Sequence, residues 1–140
     1  MRFFVDTWGW IALFNKNESR HREVEAYFHR FQESGGTAYT TDYILDETLT
    51  FLFKRIPFSK AQNSLKLLEQ AIEQNYLCLE WITPHRFEQA KALRLKLQDK
   101  PTISFTDLTS MTVMDELGIS DVLTADAHFI KVGMGFQIVP

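Results

Sequence analysis

The sequence predicts an α/β fold built on a parallel sheet, and three observations point to it. Short apolar or β-branched stretches alternate with amphipathic helical patterns, as is typical of parallel strands joined by right-handed crossovers. The first stretch, Phe3–Val5, is an unbroken apolar run, as expected for a strand buried on both faces. The 140 residues, 45% of them hydrophobic, suffice for one core, and no linker or repeat divides them. We therefore expect a single domain over residues 1–140.

The first strand ends at Asp6, which places a carboxylate at the carboxyl edge of the sheet, where open α/β folds bind their ligands. A helix N-cap or a solvated strand end explains Asp6 equally well at this point. Residues 8–14 are apolar and predict a short helix, with Thr7 as its N-cap. A second helix begins near Ser19, with apolar residues at helical spacing, and ends at the glycine pair 35–36.

The middle of the chain predicts two more strands and two more helices. Residues 37–40 are β-branched and aromatic and form the second strand. Thr41 caps the helix that follows, and Pro57 marks its end. The motif Ser59–Gln62 is a capping box and predicts the start of the next helix. Residues 77–81 form the third strand.

The last part of the chain predicts two helices and two strands. The pair Thr83–Pro84 supplies an N-cap and a proline at the first helical position. Ser104 opens another helix, which stops at Gly118. Residues 121–124 form the fourth strand and residues 136–139 the last one.

Several acids converge on one edge of the predicted sheet. The first strand ends at Asp6 and the fourth leads into Asp126, so that the two share an edge if these strands are neighbours. Asp107 lies in the first turn of a helix and faces the same edge, although helix capping alone also explains it. An earlier helix adds either Glu47 or Asp46, and the periodicity does not decide between them.

Such a cluster of carboxylates predicts a bound cation. Carboxylates packed together repel one another, and their pKa values rise unless a cation neutralises them. Oxygen ligands suit Mg²⁺ or Mn²⁺ better than zinc. A cation of this kind polarises a phosphoryl oxygen and lowers the pKa of a bound water, which is the chemistry of phosphodiester hydrolysis. It also lets a chain of net charge −3 receive a polyanion.

Four segments carry these acids in a fixed order. They are Val5-Asp6-Thr7, Thr41-x-x-Ile44-x-x-Glu47, Ser104-Phe105-Thr106-Asp107, and Leu123-Thr124-Ala125-Asp126 followed by His128-Phe129. In order and spacing they resemble the PIN-domain ribonucleases, and within that family the VapC-type toxins of bacterial toxin–antitoxin systems. The resemblance covers nearly the whole chain and selects Glu47 over Asp46.

The resemblance implies a PIN-like, three-layer α/β/α fold, with a parallel sheet of four to five strands in the order 3-2-1-4-5. It implies an endoribonuclease that hydrolyses RNA phosphodiester bonds with Mg²⁺ or Mn²⁺ as its cofactor. The catalytic residues and metal ligands would be Asp6, Glu47, Asp107 and Asp126. The residues that would orient these ligands or a water are Thr7, Ser104 and Thr106.

The implied partners are an RNA substrate, a cognate antitoxin protein and a second copy of the chain in a homodimer. The sequence lacks a signal-peptide pattern and any apolar run of about 20 residues, so we expect a cytoplasmic protein with no membrane partner. Cys78 is the one cysteine, which excludes an internal disulfide and a cysteine zinc site. Two alternatives stay open: a catalytically silent PIN domain that binds RNA or protein, and a housekeeping RNA-processing nuclease.

Three other features have a structural explanation that we prefer. His128 precedes Phe129 near a strand end, and we expect it to serve in packing rather than in chemistry. Trp8 and Trp10 either stack on bases or contact a protein, and we favour a protein contact. The helix that follows Pro84 is the most basic one, and a solvated face explains it more simply than an RNA-binding face.

Overall fold

The computed structural model describes residues 1–140 and contains five strands in one sheet. They are β1 (Arg2–Val5), β2 (Thr37–Thr41), β3 (Leu77–Glu80), β4 (Asp121–Leu123) and β5 (Gln137–Val139). All pairings are parallel, and the spatial order is β3-β2-β1-β4-β5. This confirms the predicted order 3-2-1-4-5 and places the first and fourth strands side by side.

Helices flank the sheet. They are α1 (Thr7–Phe14), α2 (His21–Glu33), α3 (Asp42–Arg55), α4 (Phe58–Glu73), α5 (Pro84–Lys96), α6 (Phe105–Leu117) and α7 (His128–Lys131). Three predicted caps are present, since the hydroxyl oxygens of Thr41, Thr83 and Ser104 each accept a hydrogen bond from the amide three residues on. Gly118 ends α6 with a φ of 69°, in the left-handed region that glycine tolerates best. None of these helices has both the length and the apolar character required to cross a membrane.

Two predicted helix starts are wrong. Thr7 is the first residue of α1 rather than its N-cap, and Asp6 takes the cap position. The motif Ser59–Gln62 lies inside α4, which begins at Phe58 directly after Pro57. Pro57 has φ −55° and ψ 140°, so the chain turns from α3 to α4 at the proline, and Ser59 already lies in the first turn of α4. The short helix α7 was not predicted, because four residues carry too little periodicity to be recognised.

The central strand β1 is buried on both faces, as its apolar run predicts. Residues Phe3–Val5 are all 0% exposed. The ring of Phe3 makes edge-to-face contacts, with centroid separations of 4.4–5.3 Å, to three rings of α2: Tyr27, Phe28 and Phe31. These ring contacts pack α2 against the sheet and account for part of the high phenylalanine content.

The contact of α1 with the sheet positions the first acid. Val5 is aligned with Leu123 in the ladder between β1 and β4, and the amide of Asp6 donates to the Leu123 carbonyl at 3.1 Å. A Cβ on Gly9 would lie 2.9 Å from Leu123 and from Val5, so only glycine allows α1 to approach this closely. Asp6 is thereby held at the carboxyl edge of the sheet, between its two central strands.

Candidate active site

Asp6 is the buried centre of the site. It is 7% exposed and lies just beyond the end of β1. The hydroxyl of Thr124, which is fully buried, donates a 2.7 Å hydrogen bond to Asp6 Oδ2. The same hydroxyl oxygen accepts a hydrogen bond from the amide of Asp126 at 3.1 Å. One threonine side chain therefore connects the acid that follows β1 with the acid that follows β4.

Asp107 enters the site from the first turn of α6. Its amide donates to Ser104 Oγ at 3.1 Å, so the predicted cap exists and fixes the start of this helix. The residue is 9% exposed, and its charge interacts with those of Asp6 and Asp126. Helix capping alone therefore does not explain the role of Asp107, because its carboxylate faces two other carboxylates.

Glu47 lies at the exposed rim of the site, one turn into α3. Its Oε1 accepts a 2.7 Å hydrogen bond from the hydroxyl of Thr7, and its charge contributes to the environment of Asp6. No hydrogen bond or ion pair connects the neighbouring Asp46 to this group. The structure therefore brings together all four predicted carboxylates, with three at the strand edge and Glu47 at the rim.

The electrostatics of the cluster are those of an uncompensated anionic site. The pKa of Asp6 is raised to about 6, chiefly by burial, with smaller contributions from the charges of Glu47 and Asp126, while the Thr124 hydroxyl and the Thr7 amide act in the opposite direction. Burial, and then the charges of Asp6 and Asp126, raise the pKa of Asp107 well above its usual range. No lysine or arginine forms an ion pair with any of the four acids.

These residues fit a divalent cation. Buried carboxylates without a positive partner carry a large desolvation cost, and a cation removes it by neutralising their charge. The oxygen donors of the group match a hard ion such as Mg²⁺ or Mn²⁺. Side-chain ligand atoms of Asp107, Asp126 and His128 also lie within 4.8 Å of one another.

His128 belongs to this group, whereas we expected it to serve only in packing. Its Nδ1 lies 3.1 Å from Asp126 Oδ1 and 3.8 Å from Asp107 Oδ2. Its backbone amide donates to Asp126 Oδ1 at 2.9 Å, which bends the chain back towards the acids. The correction follows from α7, because this unpredicted helix begins at His128 and turns the imidazole inwards.

Thr124 is the other residue that sequence reasoning missed. The sequence pattern predicts Thr124 only as the end of a strand, although a threonine between a buried strand and Asp126 is a suitable donor to a carboxylate. Of the residues predicted to support the acids, Thr7 binds Glu47 and Ser104 caps α6. The carbonyl of Thr106 accepts from the Thr109 hydroxyl, while a role for its side chain stays a prediction.

Two features that suggested RNA contacts have other partners. Trp10 is 3% exposed and donates through Nε1 to Thr40 Oγ1 at 3.2 Å, so it cannot stack on a base. The face of Trp8 is covered by the guanidinium of Arg20, 5.2 Å from the ring centroid. In α5, Arg86 pairs with Glu80 and Glu116, and Arg94 donates to backbone carbonyls, so these two cations serve the fold.

The PIN-domain family matches residues 3–134 of this chain. The chain belongs to the PIN-domain family. The match includes all four predicted carboxylates of the site. It confirms the predicted family and the fold expected from it.

Similarity to individual proteins identifies the type of PIN domain. The 23S rRNA-specific endonuclease VapC20 of Mycobacterium tuberculosis is 28% identical over 130 residues, which are 93% of each chain. The crystal structure of VapC20, described as a sarcin–ricin loop cleaving toxin, has a TM-score of 0.74 at 30% identity and covers 94% of this chain and 95% of its own. The predicted VapC-type identity is thus confirmed.

A second structural neighbour supports the fold. The crystal structure of VapBC2 from Rickettsia felis, bound to a DNA fragment from its promoter, has a TM-score of 0.75 and covers 99% of this chain and 98% of its own. At 14% identity, this similarity concerns the fold alone. A protein from Pyrobaculum aerophilum is similar in the same sense, with a TM-score of 0.67 and 14% identity.

Proposed function

We propose that residues 1–140 form a single PIN domain that acts as a metal-dependent endoribonuclease and hydrolyses phosphodiester bonds in RNA. The observation that carries this proposal is the pair Asp6 and Asp107, two buried carboxylates with raised pKa values and no lysine or arginine beside them. A fold maintains such a pair at a cost in stability, and a bound cation offsets that cost. The nuclease activity of VapC20 in the same fold supports the assignment.

The residues of the site would have the following roles. Asp6, Asp107 and Asp126 would hold Mg²⁺ or Mn²⁺ at the strand edge, with Glu47 completing the site from the rim. When bound, the cation neutralises charge on the phosphate and lowers the pKa of a water. Thr124 orients Asp6 through its 2.7 Å bond, and Thr7 restrains Glu47 at the same distance. Without a cation, the high proton affinity of Asp107 lets a proton take its place.

The chain is further proposed to be the toxin of a type II toxin–antitoxin pair, active in the cytoplasm as a homodimer and inhibited by a cognate antitoxin protein. The toxin description of VapC20 supports this role. The presence of all four carboxylates counts against a catalytically silent PIN domain, which would have no need to maintain them. Growth arrest on expression of the chain, relieved by a small protein encoded beside it, would separate a toxin from a housekeeping nuclease.

Cleavage of RNA by the purified chain tests the central claim. The substrates are total RNA, intact 23S rRNA and an oligonucleotide of the sarcin–ricin loop, since the relative VapC20 acts there. Each is incubated with Mg²⁺, with Mn²⁺ or with EDTA. We expect discrete cleavage with a divalent cation and none with EDTA.

A matched pair of variants on α3 identifies the site. Glu47→Gln and Asp46→Asn each remove one exposed carboxylate from adjacent positions, but only Glu47 contacts Thr7. We expect Glu47→Gln to reduce cleavage by about 100-fold or more, in the range for loss of one electrostatic contact to a transition state, and Asp46→Asn to cut normally. Equal activity of the two variants, or full activity in EDTA, would contradict the assignment.

A further inference from the structure

We propose that His128 supplies a nitrogen ligand to the cation through Nδ1, so that the site prefers Mn²⁺ to Mg²⁺. The inference rests on the proposed function and deepens it, because carboxylates alone accept either ion. Ligand atoms of Asp107, Asp126 and His128 lie within 4.8 Å of one another, and the far side of the imidazole contacts Thr102.

The distances around Nδ1 match one coordination shell. Nδ1 lies 3.1 Å from Asp126 Oδ1 and 3.8 Å from Asp107 Oδ2. Around an octahedral ion with bonds of about 2.1 Å, adjacent ligands are about 3 Å apart and opposite ligands about 4.2 Å. Both separations lie inside this range, so an ion between the three side chains could contact all of them without any backbone movement.

The Nδ1 atom has no other use in the fold. It is buried and has no hydrogen-bond partner of acceptable geometry, although two carboxylates face it. A buried polar atom in a native protein normally has a partner. A cation placed between Nδ1 and the carboxylates supplies that partner and also separates groups that would otherwise repel.

The second ring nitrogen has the contact that ligating histidines usually make. His128 Nε2 lies 3.4 Å from Thr102 Oγ1, in the loop before α6. If Nε2 carries the proton and donates it to this hydroxyl, the lone pair of Nδ1 points to the acids. Metal-binding histidines are commonly oriented in this way, by a hydrogen bond from the nitrogen that does not bind.

A nitrogen ligand changes which ion is favoured. Mg²⁺ is small, holds its waters strongly and prefers oxygen ligands. Imidazole suits the transition ions, and Mn²⁺ is the first member of the series along which their affinity for nitrogen ligands rises. Of the two ions in the proposed function, Mn²⁺ therefore accepts an imidazole ligand more readily than Mg²⁺. His128 would therefore act as a selectivity determinant within a group of acids that does not itself discriminate strongly.

Direct binding measurements on the full chain test the proposal. Isothermal titration calorimetry with MnCl₂ and with MgCl₂ gives the ratio of the two affinities for the native chain, His128→Ala and His128→Gln. The control is His85→Ala, which removes an exposed histidine near the start of α5. We expect the native chain and the control to bind Mn²⁺ at least about tenfold more tightly than Mg²⁺, and both His128 variants to lose about tenfold in Mn²⁺ affinity with little change for Mg²⁺.

A spectroscopic measurement provides a readout that does not depend on affinity. The electron spin-echo spectrum of bound Mn²⁺ should show coupling to a ¹⁴N nucleus in the native chain. This coupling should be absent from the spectrum of His128→Gln. Unchanged affinity ratios, or a spectrum without nitrogen coupling, would overturn the proposal while the metal-dependent nuclease stands. Failure of the native chain to bind either ion would overturn both the histidine ligand and the metal-dependent nuclease, whereas cleavage that survives EDTA would overturn the metal dependence by itself.

Discussion

Replacement of Asp6 by asparagine should stabilise the protein in the absence of cations. Asparagine has nearly the same volume as aspartate, and its side-chain oxygen can still accept the hydrogen bond from Thr124. It can also keep the N-cap position of α1. The substitution therefore removes a buried charge and leaves the surrounding contacts in place.

The expected magnitude follows from the pKa of the buried acid. Folding raises the pKa of Asp6 from 3.8 to about 6, and one pKa unit corresponds to about 1.4 kcal/mol. Because the folded state holds the proton more tightly, the associated stability is fully present below pH 3.8 and is lost as the pH rises through about 6. Above pH 7 the native chain therefore carries a penalty of about 3 kcal/mol from this group, which Asp6→Asn removes.

Unfolding in urea between pH 5 and pH 8, with EDTA present, measures this effect. We expect the free energy of unfolding of the native chain to fall across this range and that of Asp6→Asn to fall less, with a difference of about 3 kcal/mol at pH 8. In a thermal scan, the same difference corresponds to about 10 °C. Addition of Mn²⁺ at pH 8 should stabilise the native chain, by about 2.7 kcal/mol at 100 times its dissociation constant, and leave the variant unchanged.

Asp46→Asn is the control, because it removes an exposed carboxylate outside the cluster. It should change neither the stability at pH 8 nor the response to Mn²⁺. An Asp6→Asn variant no more stable than the native chain at pH 8 in EDTA would contradict the predicted penalty. In that case the ionised Asp6 would not be destabilising, and a cation would not be needed to neutralise it.

Three further substitutions test the surroundings of the site. Gly9→Ala should cost about 1–3 kcal/mol in urea unfolding, because its new methyl group would lie 2.9 Å from atoms of β1 and β4. Thr124→Val removes the donor that lowers the pKa of Asp6, so calorimetry at pH 7 should show about tenfold weaker Mn²⁺ binding, whereas serine at this position should retain it. Arg94→Met removes three hydrogen bonds of 2.7–2.8 Å to carbonyls of the loop 97–103. This variant should lower the unfolding free energy by about 2–4 kcal/mol. Arg94→Lys, which lacks the planar guanidinium group, should retain only part of the lost stability. Native-like stability of Gly9→Ala or Arg94→Met, or native-like Mn²⁺ affinity of Thr124→Val, would contradict the role of the corresponding contact.

Local interactions explain what sequence reasoning predicted correctly. The apolar run before Asp6 is a strand because three adjacent apolar side chains require burial on both faces. Ser104 and Gly118 bound α6 because a side-chain cap and a left-handed glycine act within a few residues. The spacing of acids within these elements then suffices to predict which edge of the sheet they face.

Long-range contacts account for what was missed. The bond from Thr124 to Asp6 connects residues 118 positions apart, and no pattern within one segment reveals it. The assignment of Glu47 over Asp46 came from the family resemblance, and the structure adds its partner, Thr7, which is 40 residues away. The first contact exists because β1 and β4 end side by side at one edge of the sheet, and the second because α1 lies beside α3 there.

The sequence by itself determined the order of strands and helices, most of their caps, the family and the four acids, since these depend on local chemistry and on the spacing of motifs. Only the tertiary structure decided how deeply each acid is buried, and burial sets the pKa values of Asp6 and Asp107. Only the tertiary structure turned His128 towards the acids, through a four-residue helix that the sequence pattern does not reveal. The physical reason is that desolvation and side-chain direction depend on neighbours supplied by the whole chain, whereas capping and periodicity depend on residues a few positions away.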